Sequence, residues 1–124
     1  MLSLGVTLLA AVGIIVIGGM YIFNPLGAMK SFGLPLPEEG PNIACCLRLK
    51  GVRDIVAGLV VLAMMVWAGP RITGIVLLIE SLIPIGDMSI ILAARGSAMK
   101  AFGIHGVTAA LMILAASSLV AGHV

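Results

Sequence analysis

Five ionisable side chains stand in stretches where water is scarce. Glu80 and Asp87 lie within LLIESLIPIGDMSII, from Leu77 to Ile91. Arg53 and Asp54 are neighbours in a second apolar run, and His105 is alone in a third. A carboxyl group short of both water and a cation is favoured as the neutral acid, and a neutral acid donates protons. One beside a cation stays ionised and accepts them. Two carboxyl groups in unlike surroundings are therefore a way to divide acid from base. The chemistry is proton transfer in an apolar setting: opening an epoxide, protonating an alkene, or relaying protons.

Spacing strengthens the pair. Glu80 and Asp87 are seven residues apart, which on a helix puts them within about 20° of one face. Pro84 stands between them and cannot donate to the carbonyl of residue 80, so a kink is expected there. Gly86 adds room. The stripe from Glu80 through Pro84 to Asp87 is expected to line a widened, polar place between helices and not to face lipid.

The elements that position these residues follow from composition. Of 124 residues, 61% are hydrophobic and only 10% are charged. Mean hydropathy is +1.27. A water-soluble domain is about half apolar and a quarter charged, so the solvent for most of this chain must be lipid. Leu2 to Phe23 carries no charge, Val52 to Ala68 only Arg53 and Asp54, Ile72 to Ala94 only Glu80 and Asp87, and Ala101 to Val120 only His105. Each run approaches the ~20 residues that cross the hydrocarbon layer, the second one when Ile43 to Leu49 extends it. The runs lack the polar alternation of membrane strands. The expected fold is all-α: one integral membrane domain over residues 1–124, an antiparallel four-helix transmembrane bundle with helices near 2–24, 45–69, 71–95 and 99–121. The first run has no basic residue before its apolar core and is read as a retained span.

Punctuation and charge set the topology. Asn24 to Asn42 is rich in Pro and Gly and is the one long loop, with Leu26 to Phe32 expected as a short interfacial turn. Ala68–Arg71 and Arg95–Lys100 are tight links, with Ser97 placed to cap the last helix. Lys30, Arg48, Lys50, Arg95 and Lys100 fall on the long-loop side, and only Arg71 on the other. The positive-inside rule puts the loop in the cytoplasm and both termini on the non-cytoplasmic side. The net charge of +2 is explained by this asymmetry and calls for no nucleic acid.

Depth brings the ionisable residues together. At the helical rise, Arg53, Asp54, Asp87 and His105 each fall roughly 6–8 Å to the cytoplasmic side of the midplane. Glu80 sits one to two turns deeper. Tyr21 and Asn24 of the first helix fall somewhat nearer the cytoplasmic surface, three residues apart and hence on one face. The four charged residues are expected to converge. Cys45 and Cys46 are adjacent and read as free thiols. Gly18, Gly51 and Gly58 mark close helix contacts, as do Gly13, Gly19, Gly103 and Gly106.

KGVRDIVAG, ESLIPIGD and GIHGVTAALMILA resemble the pattern of a family of small four-span membrane proteins of fungi and bacteria, catalogued as a domain of unknown function. The resemblance covers most of the chain. It implies four helices and a family pattern that includes Arg53, Asp54, Asp87 and His105, and it supplies no reaction. Two chemical likenesses stand beside it. Membrane terpene cyclases and sterol isomerases place acids inside helix bundles to protonate apolar substrates. Limonene-type epoxide hydrolases, which are soluble, use an Asp–Arg–Asp set with Tyr and Asn; Arg53, Asp54, Asp87, Tyr21 and Asn24 are similar in inventory only.

Three functions are compatible with these residues. The first is a membrane enzyme that opens, cyclises or isomerises a lipophilic small molecule. Glu80 or Asp87 would donate the proton, Asp54 beside Arg53 would act as base or orient water, His105 would shuttle or position, and Tyr21 and Asn24 would hold substrate or water. The second is a proton-linked transporter or channel subunit, which at four helices would need a homo-oligomer. The third is a structural protein whose charges fix packing. The enzyme is favoured because it needs only one pocket open to lipid. The expected partners are the bilayer and the lipophilic substrate. No cofactor is called for, and Asp54, Asp87 and His105 lack the spacing of a metal site.

Overall fold

The computed structural model describes residues 1–35 and 40–124. Residues 36–39 of the expected loop, Glu38 and Glu39 among them, lie outside the described residues.

Among the described residues the chain is all-α. Helix α1 spans Leu2–Phe23, α2 Pro25–Lys30, α3 Pro41–Trp67, α4 Gly69–Glu80 and α5 Leu82–Ala93. The short α6, Ala98–Lys100, leads into a π-helical turn, Ala101–Gly106, and α7 runs over Val107–Val120. The expected boundaries hold within a few residues, except that the second long helix starts at Pro41, near the end of the Pro/Gly-rich segment. Proline is tolerated in the first turn, where its missing N–H has no partner to lose.

The break between α4 and α5 falls where Pro84 dictates. Proline at residue 84 removes the donor for the carbonyl of Glu80 and crowds it, and α4 ends at Glu80 with Ser81 as the joint. The Ser81 hydroxyl donates to the Leu78 carbonyl at 2.6 Å, which satisfies a buried polar group at the discontinuity. Gly69, at φ +78°, makes the reversal from α3 into α4, a backbone conformation that suits glycine. The Ser97 side chain caps α6 by accepting from the Lys100 N–H at 3.3 Å.

Helix α1 lies along α3 and also touches α7; α4 packs on α7 and α3. The α1–α3 contact is backbone to backbone. A Cβ on Gly18 would stand 2.6 Å from the Gly51 carbonyl oxygen, and one on Gly58 would stand 2.6 Å from that of Ala11. Gly13, Gly19 and Gly103, by contrast, have nothing within 4 Å of a built Cβ, so the expectation of close contacts holds for some of the glycines only. The core joins Ala11 of α1, Val61 of α3, Leu77 of α4 and Met112, Ala115 and Ala116 of α7. It sits in the half of the molecule that holds the termini, where the Met1 amine donates to the Val124 carbonyl and Ser3 bonds Ser118. In the other half, α5 packs on the π turn and α7 but not substantially on α1 or α3. The break at Ser81 thus separates a closed half from an open one.

Three helical stretches, Leu2–Phe23, Gly69–Ala93 and Ala98–Val120, are long and apolar enough to cross a membrane. The outer surface carries large exposed apolar side chains such as Val16, Val66, Ile79 and Leu114. The chain therefore has the character of an integral membrane protein. Four such helices were expected, but Pro41–Trp67 does not join the three: Arg48, Lys50, Arg53 and Asp54 crowd its first half.

The Asn24–Pro35 segment and the Arg95–Lys100 link share one end, as expected. The Ser97 N–H donates to the Gly33 carbonyl at 2.7 Å, and the Lys100 ammonium donates to the Lys30 carbonyl at 2.6 Å.

Candidate functional site

A cavity of about 440 Å³ runs from the core residues Leu77 and Met112 into the open half. Its wall on α1 is the stripe Leu9, Gly13, Ile17 and Tyr21, four residues apart at each step, so the cavity extends roughly 18 Å along that helix. Ala57 and Val61 line it from α3, Leu77 and Glu80 from α4, Pro84 and Asp87 from α5, and His105 and Met112 from the last helical segment. The walls are mainly apolar. The polar groups gather at the loop end, with Glu80 apart from them.

Glu80 and Asp87 share this cavity, as their seven-residue spacing predicts. They are not sealed in a dry interior: both are half-buried, and the Asp87 side chain is 25% exposed. Among the described residues Glu80 has no ion-pair or hydrogen-bond partner. The Asp87 carboxylate faces His105, with Nδ1 and Oδ2 at 3.6 Å. The other ring nitrogen of His105, Nε2, lies 3.1 Å from the Phe32 carbonyl oxygen. A carbonyl only accepts, so Nε2 carries a proton. His105 sits in the π turn, and it is buried there.

The cation of the site is Lys50. Its ammonium pairs with Asp54 at 2.6 Å, one helical turn away on α3. It also lies over the Tyr21 ring, 4.6 Å from the centroid, and 5.1 Å from that of Phe32. Phe32 in turn meets the Tyr21 ring edge-on at 6.4 Å and the His105 ring at 4.6 Å. Asp87 lies within electrostatic reach of Lys50 and Asp54. Tyr21, Phe32 and Lys50 also border a second cavity of about 340 Å³ on the side of Pro35 and Asn42. These three side chains therefore form the partition between the two.

Two expected members are elsewhere. Arg53 is exposed, because consecutive residues on a helix point about 100° apart and the buried Asp54 takes the inward position. Its place beside Asp54 is taken by Lys50, four residues earlier on the same face. Asn24 is also outside. It is the exposed residue between α1 and α2, and its side chain accepts from the Gly27 N–H at 3.2 Å as a helix cap. Asp87, His105 and Tyr21 do come together at one end of the cavity, and Asp54 stands behind them, joined through Lys50. Lys50 and Phe32 were missed. The Lys50–Asp54 spacing of four was a readable signal. Nothing local marked Phe32, which reaches the site by the fold of the loop.

Among the described residues no three His, Cys, Asp or Glu side chains gather closely enough to hold a metal ion. Cys45 and Cys46 are free and exposed.

The family model described as "Domain of unknown function (DUF4267)" matches residues 11–119. The chain belongs to that family, as its motifs implied. No curated protein and no solved structure matches the chain.

Proposed function

For this member of the DUF4267 family we propose a membrane-embedded acid–base enzyme that acts on a lipophilic small molecule. The observation that carries this reading is the cavity. It has apolar walls, a volume in the range of small-molecule sites, and two carboxyl groups in unlike surroundings. Glu80, without a cation, serves as proton donor in its neutral form. Asp87, with His105 at hand and Lys50 near, is the ionised partner that takes a proton, directly or through His105. Asp54 holds Lys50 in place and is a positioning residue.

The two functions are separated. Glu80 and Asp87 are about two turns apart, roughly 10 Å along the helix direction. A proton that enters a substrate at Glu80 leaves it at a distant point. That arrangement favours cyclisation, in which the C=C bond or epoxide gains a proton near Glu80, ring closure carries the cation along the chain, and a C–H or O–H group near Asp87 loses a proton. Direct hydrolysis of an epoxide needs acid and base around a single centre and ranks lower.

In this reading Pro41–Trp67 is a fourth span, giving an antiparallel four-helix membrane bundle. Its intimate contact with α1 supports this, as does the placement of Lys50 and Arg53 toward the loop end, where long side chains reach the interface. The excess of basic residues at that end supports a cytoplasmic location for it, with both termini on the other side. Substrate enters sideways from lipid, between α1 and α5, where the two helices lack close packing and Ile17 and Ile83 are exposed at the cavity.

The test is a product assay. The protein in lipid nanodiscs is incubated with a panel of isoprenoid alkenes, alkenols and epoxides, and products are followed by gas chromatography and mass spectrometry. Turnover by the natural sequence that is lost in Glu80→Gln supports the reading. Full activity in Glu80→Gln means that Glu80 is not the acid, and a panel in which nothing is converted while protons or ions cross the membrane favours transport instead.

A further inference from the structure

The loop end of the cavity also specifies what kind of polar head its occupant carries. Four groups define that end: Asp87 and His105 on one side, Lys50 and Tyr21 on the other. Because Nε2 of His105 donates to the Phe32 carbonyl, the neutral ring presents Nδ1 as an acceptor toward Asp87. Two acceptors then face one gap of 3.6 Å, too wide for a direct hydrogen bond. A donor placed against them satisfies both. Lys50 and Tyr21, which line the same cavity, carry an ammonium and a hydroxyl that can donate.

Charge narrows the choice. Lys50 and Asp54 neutralise one another at 2.6 Å. Asp87 adds a negative charge that His105 at most cancels. Among the described residues the end is thus neutral to negative, and an anionic head meets an ionised carboxylate while Lys50 is already paired with Asp54. An ammonium head would satisfy Asp87 but has nothing to accept from Tyr21 or Lys50. A hydroxyl group does both: its O–H donates to Asp87 or Nδ1, and its oxygen accepts from Tyr21 or Lys50.

We infer that the occupant is a single-headed lipophilic alcohol, its hydroxyl at Asp87 and His105 and its chain running past Glu80 toward Leu77 and Leu9. The inference rests on the reading of this cavity as a substrate site and adds the class of substrate. It also places the reactive C=C bond or epoxide roughly 10 Å from the hydroxyl, level with Glu80.

Binding tests this without any turnover. The full chain in nanodiscs is labelled with a dodecanol that carries a diazirine at its far end, and labelled peptides are mapped by mass spectrometry. Unmodified dodecanol, dodecanoate and dodecylamine compete. Dodecanol is expected to protect best, with the acid and the amine at least about tenfold weaker, and the label is expected on peptides around Leu9 or Leu77. Asp87→Asn is expected to weaken dodecanol competition by about tenfold, whereas Arg53→Gln, exposed and outside the cavity, leaves it unchanged. Equal or better competition by dodecanoate or dodecylamine overturns the inference, as does labelling that dodecanol does not reduce. The head-group series on the natural sequence decides the matter even if Asp87→Asn fails to fold. Dodecanol binding with no conversion of any alkenol keeps this inference and removes the acid–base reading. Conversion of a substrate with an anionic head does the reverse.

Discussion

His105 holds the loop and the candidate site together: Nε2 bonds the Phe32 carbonyl at 3.1 Å while Nδ1 faces Asp87 at 3.6 Å. One ring therefore couples the segment after α2 to the carboxylate on α5. The bond fixes the tautomer, and the tautomer decides what the ring offers to the cavity. Replacing His105 with Phe keeps the ring and its contact with Phe32 but removes both nitrogens. The account predicts loss of turnover and of dodecanol competition. Hydrogen exchange in residues 26–35 should also rise. Unchanged exchange there would show that the bond does not hold the loop.

The Lys50–Asp54 pair makes a second prediction. Asp54 is 5% exposed, so its removal leaves an ammonium in poor solvent. Asp54→Asn should destabilise the protein by about 1–3 kcal/mol, less than a fully buried pair because Lys50 retains partial access to solvent. Arg53→Gln, next door but exposed, should stay within about 0.5 kcal/mol of the natural sequence. Chemical denaturation in mild detergent reads both. Equal effects of the two substitutions would contradict the assignment of Lys50 as the partner.

Glycines on α1 give a third. Gly18 has the Gly51 carbonyl where a methyl group would go, whereas Gly19 has open space. Gly18→Ala should cost about 1–3 kcal/mol through overpacking of α1 on α3. Gly19→Ala should be neutral or stabilising by up to about 1 kcal/mol, since alanine is the better helix former. Thermal unfolding of the two variants distinguishes them, and a reversed order would mean that α1 and α3 do not meet at Gly18.

Topology is tested in cells. With Cys45 and Cys46 changed to Ser, a single cysteine at Pro35 should be shielded from a membrane-impermeant maleimide until the cells are opened. One introduced at Ser3 should react from outside. Labelling in the opposite pattern inverts the proposed orientation.

Much of this was legible in the sequence because its signals are local. Charge-free runs of about twenty residues announce helices. Pro84 announces the break that ends α4 at Glu80, and a spacing of seven places Glu80 and Asp87 in one cavity. The depth argument also brought Asp54, Asp87 and His105 into one layer. It failed for Arg53 because depth says nothing about direction: Arg53 and Asp54 share a level but not a face, and the helical spacing of four pointed to Lys50 instead. Asn24 failed for a related reason, since a polar side chain at a helix end is spent on capping the next turn. Phe32 was out of reach, because its position depends on how the segment after α2 folds against the π turn, a contact between residues 73 apart.

The most direct measurement follows a proton from solvent to product. In heavy water a neutral Glu80 exchanges to the deuterated acid. An alkenol cyclised or isomerised in the cavity should then acquire one solvent deuterium on carbon per turnover, and Glu80→Gln should yield neither product nor label while retaining the natural melting temperature. Product that forms without deuterium, or at the same rate in Glu80→Gln, would contradict the assignment of Glu80 as the acid and with it the account of the cavity as an acid–base site.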